Sequence, residues 1–228
     1  MKRIGRMNEL AWVLGIILCS LGVCLCTKAG FGLSMIAAPP YILHLKMVEF
    51  FPWYSQGTSE YIWQGALLII MCVIVRRFKW RYLLSFVSGI LFGFALDGWL
   101  KLFGGNGVYM DMTARIISFV FGEAVTALAI AFYFRTRMPL QIYELVVVEI
   151  ADKYKMNKDR TKLYNDILML AVSVVFAAGL NHSFAGIGIG TVIITLVNAK
   201  LIEFFGRILD RLFTFEPRFP GLIKALDK

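Results

Sequence analysis

Six stretches of almost unbroken apolar residues alternate with short polar strips along the chain, over 9–27, 60–76, 82–103, 113–134, 163–180 and 187–208. Each approaches the roughly 20 residues that a helix needs to cross a hydrocarbon layer of about 30 Å. Two further apolar stretches, 31–48 and 138–152, are shorter and are broken by Pro39-Pro40 and Pro139. The pattern predicts an all-α polytopic membrane protein with six transmembrane helices.

The polar strips predict its orientation. Lys2, Arg3 and Arg6 precede the first block, and Arg76, Arg77, Lys79 and Arg81 separate the second from the third. Arg135 and Arg137 follow the fourth, and Lys153, Lys155, Lys158, Arg160 and Lys162 precede or open the fifth. Arg207, Arg211, Arg218, Lys224 and Lys228 close the chain. Six spans put all of these on one side, whereas the loops 104–112 and 181–185 carry neither Lys nor Arg. Cationic loops stay in the cytoplasm, so both termini are expected there. Residues 31–59 then begin and end outside, and 135–162 begin and end inside. Neither can complete a crossing, so each is expected to be a broken or re-entrant piece held within protein. Their prolines suit such breaks.

The halves, 1–108 and 109–228, share one plan: a long helix, a short Pro-containing segment and two more helices. Gly89–Asp97 matches Gly190–Asn198 at an offset of 101, and Glu60–Gln64 matches Lys162–Asp166 at 102. Three spans per half is an odd number, so the second copy is expected to be inverted. Inverted repeats with discontinuous segments are a common plan of secondary transporters, which bind their substrates near the midplane.

Composition narrows the class. Apolar residues make up 59% of the 228, and mean hydropathy is +0.71, against roughly 45–50% apolar in soluble proteins. The net charge of +9 lies in strips beside apolar blocks, which suits anionic lipid rather than nucleic acid. Leu10–Thr27 is uncharged and is followed by Lys28-Ala29-Gly30, a poor cleavage site, so it reads as a first transmembrane helix rather than a signal peptide. Cys19, Cys24, Cys26 and Cys72 lie inside apolar stretches with no metal-ligand spacing, so they are expected to be packing residues. No cofactor or metal is implied. His182 reads as a solvated loop residue. The glycines of 30–32 and 186–190 follow no strand and suit close helix approach, not nucleotide binding.

Ionisable groups at membrane depth need a reason, because each costs about 2.5–3.5 kcal/mol on insertion scales. Asp97 lies inside the third block and Glu123 in the middle of the fourth. Glu144 is on the second short segment, and Asp166 is near the start of the fifth block. Gln64 and Asn198 are the repeat partners of Asp166 and Asp97. In each pair one copy keeps a carboxylate and the other an amide. These residues predict a central polar cluster that holds a substrate or a coupling proton, with Asp97 and Glu144 facing one cavity. The simpler reading is interhelical hydrogen bonding, worth about 0.6 kcal/mol per contact; for Asp166 it is an ion pair with Lys162.

Several stretches resemble the YczE/YitT-like group of uncharacterised bacterial integral membrane proteins. In the first half they are Lys28–Ser34 with Ala38-Pro39-Pro40-Tyr41, Gln64-Gly65, and Arg76–Arg81 leading into Leu84-Ser85-Phe86. In the second half they are Pro139–Leu145 and Gly186–Thr191. The resemblance implies a bacterial plasma membrane protein and adds Ser34 to the candidate site. Better-known members resemble Gly-x-Ser-Pro-Trp-Asp there, whereas Met35, Ile36 and Ala37 follow Ser34. An acidic role therefore cannot pass to Ala37, and only Glu144 keeps an acid.

These features together predict a transporter of a small organic solute in the bacterial inner membrane, with proton coupling left open. Its partners would be the lipid bilayer and the solute, and a homodimer stays open. No nucleophile–base pair is evident, so an enzyme is not expected. The alternative is a non-transporting scaffold or regulator of a membrane-bound partner.

Overall fold

A computed structural model describes residues 8–136, 138–181 and 183–216. The basic residues Lys2, Arg3, Arg6, Arg137, Arg218, Lys224 and Lys228, and also His182, lie outside the described residues. Among the described residues eight α-helices follow one another: α1 (Asn8–Ala29), α2 (Ala38–Phe50), α3 (Gln56–Val75), α4 (Trp80–Leu102), α5 (Met112–Tyr133), α6 (Ile142–Tyr154), α7 (Lys158–Phe176) and α8 (Ile189–Leu212). A π turn, Ala177–Asn181, extends α7.

Local chemistry sets the ends. The Ser55 hydroxyl accepts from the Thr58 amide and caps α3, and the Asp111 carboxylate accepts from the Ala114 amide and caps α5, each satisfying an orphan amide of a first turn. α2 opens on Pro39 and Pro40, at positions where a missing amide hydrogen is harmless. Arg76 and Lys155 close α3 and α6 in the left-handed conformation, with φ of 54° and 53°. The two short apolar stretches thus become helices of 13 residues, α2 and α6. At 1.5 Å per residue each is about 20 Å long, short of a roughly 30 Å layer.

Among the described residues, five helical segments are long and apolar enough to cross a membrane: α1, α3, α4, α5, and α7 continued through its π turn to Leu180. The last predicted block forms α8, which has 24 residues and carries Lys200 at its middle and Glu203, Arg207, Asp210 and Arg211 in its second half. Large apolar side chains cover the outside, including Val73, Phe94, Leu102, Ile117, Val175 and Leu196, each more than 60% exposed. Water would leave that apolar surface unsatisfied, whereas a bilayer solvates it. This is a polytopic membrane protein.

At the centre α1 crosses α5. A Cβ on Gly22 would stand 2.6 Å from the Gly122 carbonyl oxygen, and one on Gly122 would stand 2.9 Å from the Gly22 carbonyl oxygen. Only glycine lets the backbones approach this closely. α4 packs on α1 and α8 on α5, α6 lies along α3 and α2 along α7, and the short helices also touch their chain neighbours α3 and α7. α3 and α4 pack closely, whereas among the described residues α7 and α8 share no extended packing. Ile16, Val23, Phe92, Leu96, Ala129 and Tyr133 belong to the core where α1, α4 and α5 meet. Cys19, Cys24 and Cys26 are buried free thiols, and Cys72 is a half-buried one.

Candidate functional site

α3 begins at Gln56, four residues before its apolar block, because Ser55 caps it there. Glu60 consequently falls in the second turn of the helix, where it is 1% exposed. α6 begins after Gln141, and Tyr143 in its first turn donates a 2.7 Å hydrogen bond to Glu60 Oε2. Glu60 Oε1 has no hydrogen-bond partner among the described residues. Gln141 Nε2 donates to the Tyr133 hydroxyl at 3.1 Å.

Glu60 opens onto a cavity of about 380 Å³ bounded by α1, α3, α4, α5, α6, α7, α8 and the turn at 34–37. Val23, Ile36, Phe92, Ile130, Phe134 and Ile194 give it apolar walls. Its polar lining comes from Gln141, Tyr143, Glu144, Lys162 and Asp166, with Ser34 and Asn198 beside them. Lys162 Nζ lies 3.4 Å from Glu144 Oε1 and 4.0 Å from Asp166 Oδ2. One ammonium therefore serves two carboxylates, and the third, Glu60, has only a tyrosine hydroxyl among the described residues. Asp166 Oδ1 and Asn198 Oδ1 are buried atoms without partners among the described residues.

Of the residues predicted for the site, Glu144, Asp166, Asn198 and Ser34 line this cavity, and Asp97, Glu123 and Gln64 do not. Asp97 and Glu144 do not share it, contrary to expectation. Asp97 Oδ1 accepts from the Gly57 amide at 2.8 Å and Oδ2 from the Ser55 hydroxyl. It pins the start of α3 to α4, where the Gly57 and Gly93 backbones meet. Glu123 is 5% exposed on α5, with Oε1 unpartnered among the described residues. The Gln64 amide is fully buried against Gly89.

Glu60, Tyr143 and Gln141 were not predicted for the site, and Lys162 was predicted only as a partner for Asp166. A signal for two of them was present, since Glu60 and Lys162 occupy the same place in the match at an offset of 102 and carry opposite charges. Glu60 stood at the edge of its apolar block, where a charge needs no explanation.

A helical membrane protein with a buried, ionisable cavity is the class that this fold defines. Residues 6–207 match the model of a family of unknown function, DUF6198, and the chain belongs to that family. It is similar to "Uncharacterized protein YyaS" of Bacillus subtilis (strain 168), with 27% identity over 214 residues, 93% of this chain and 98% of that protein. No solved structure matches it. The family found is thus an uncharacterised one, and the YczE/YitT-like grouping is a finer statement than these matches carry.

Proposed function

We propose that the protein is a secondary transporter of a small organic solute in the bacterial plasma membrane. The observation that carries this reading is the cavity of about 380 Å³ among seven of the eight helices. Its volume falls in the range of small-molecule sites, and it has the usual make-up of apolar walls with a few converging polar groups.

The same proposal includes six spans, with α8 the sixth, cytoplasmic termini and two inverted repeats. Support comes from the packing: exchanging α1 with α5, α2 with α6, α3 with α7 and α4 with α8 turns most helix contacts into one another. The α1–α4 contact becomes α5–α8, and α3–α6 becomes α7–α2. The α3–α4 contact is the main exception, for α7 and α8 stand apart. Repeats in unlike arrangements are what rocking between two states requires. Kinship with the YczE/YitT-like group belongs to the same proposal and rests on the stretches Lys28–Ser34, Pro139–Leu145 and Gly186–Thr191.

Purified protein reconstituted into sealed vesicles tests the reading. Accumulation or counterflow of cationic, neutral or anionic small solutes, absent from empty vesicles, is the expected result. Vesicles that hold correctly folded protein and pass none of these solutes would overturn it and favour the scaffold.

A further inference from the structure

The geometry points to a protonated amine with an apolar body as the ligand of the cavity, its N–H group bonded to Glu60 Oε1. This inference rests on the transporter reading and names its substrate class. Glu60 is 1% exposed and lines the cavity, and one of its oxygens is already bonded to Tyr143. The other is buried and unpartnered among the described residues. An ionised carboxylate only accepts hydrogen bonds, so for the charged form of Glu60 the missing group is a donor.

Charge then chooses among donors. Among the described residues, Glu60, Glu144 and Asp166 line the cavity with a single basic side chain, Lys162. Lys162 is engaged with Glu144 and Asp166. Carboxylates held at low dielectric with too little positive charge favour a cation and repel an anion. A quaternary ammonium would supply the charge but no N–H for Oε1. A primary or secondary ammonium supplies both, and the ring of Phe92 or Phe134 offers a π face of the kind that attracts such cations. The walls formed by Val23, Ile36 and Ile130 ask for an apolar remainder. A bare metal ion or a polyamine would leave these walls in contact with water.

Titration calorimetry on the full-length protein in lipid nanodiscs tests the assignment, with three probes of matched shape: 2-phenylethylammonium, 2-phenylethanol and phenylacetate. The cation is expected to bind at least about tenfold more tightly than the other two. Glu60→Gln, which keeps the shape and removes the charge, is expected to weaken the cation by about tenfold or more while leaving 2-phenylethanol unchanged. Should Glu60→Gln fail to fold, Asn198→Lys at the half-exposed side of the cavity is expected to weaken the cation alone. Equal binding of all three probes, binding of none, or wild-type cation affinity in the variants overturns the assignment. Vesicle flux separates the two claims. A cation that binds without flux removes the transporter and keeps the site, and flux of phenylacetate or 2-phenylethanol without the cation does the reverse.

Discussion

Tyr143 donates its hydroxyl hydrogen to Glu60 Oε2 at 2.7 Å, joining the first turn of a helix too short to cross a membrane to the second turn of one long and apolar enough to cross. The bond fixes α6 against α3 and leaves the other carboxylate oxygen of this cavity-lining residue buried and without a partner among the described residues. Tyr143→Phe keeps the ring and removes the donor. The variant is expected to lose about 1–2 kcal/mol of stability, since a buried carboxylate oxygen then lacks a partner. Equilibrium unfolding in detergent measures this, and an unchanged midpoint would show that the bond is not made.

Asp97 is expected to matter for stability and not for solute recognition. Asp97→Ala removes the acceptor of the Gly57 amide and of the Ser55 hydroxyl, with a loss of about 2–3 kcal/mol. Asp97→Asn keeps one carbonyl oxygen for the Gly57 amide and is expected to preserve both fold and flux. Loss of flux in a stable Asp97→Asn protein would return this residue to the mechanism.

The glycines of the central crossing make a sharper test. A Cβ on Gly22 would come within 2.0 Å of Thr126 Oγ1, whereas one on Gly98 meets nothing within 4 Å. Gly22→Ala is expected to destabilise by about 1–3 kcal/mol through overpacking. Gly98→Ala is expected to be neutral or to gain up to about 1 kcal/mol in helix propensity. Thermal unfolding of the pair decides, and equal shifts would contradict the close crossing.

Acid stability should depend on the end of α6. Burial alone would push the Glu149 carboxyl up, but the hydrogen bond from Lys79 and the charges of Lys79 and Arg77 outweigh it and hold it below the usual range. A lowered folded-state pKa means that this stabilisation is complete above the unfolded value of about 4.3 and is lost as pH falls through the folded value. Glu149→Gln is therefore expected to flatten the decline in unfolding midpoint below about pH 4.3. Parallel wild-type and variant curves would remove Glu149 from the acid response.

Topology is open to labelling. With the four native cysteines replaced, Asn106→Cys is expected to react with an impermeant thiol reagent from outside intact cells, and Lys158→Cys only after permeabilisation. Reaction of both from outside would sink the six-span arrangement.

Helix positions were legible in the sequence because apolar blocks of span length have few other solutions, and Pro39-Pro40 and Pro139 marked the segments that stop short. The site was half legible. Glu144, Asp166 and Asn198 stood out because polar groups inside apolar blocks are rare. Asp97 stood out for the same reason, yet it serves the backbone of a neighbouring helix, and only the tertiary approach of Gly57 to Gly93 reveals that. Glu60 was hidden by the reverse effect. Its helix starts four residues earlier than hydropathy suggests, so a charge that looked peripheral is fully enclosed.

The separation of α7 from α8 has a consequence for how this protein must be handled. Among the described residues α7 and α8 both line the cavity without extended packing on each other, so any gap between them is filled by the surrounding phase. Acyl chains or detergent tails would complete that wall and contribute to what the cavity accepts. Ligand affinities should therefore shift with the length and saturation of the lipids supplied, and lipid composition belongs among the variables of every binding measurement.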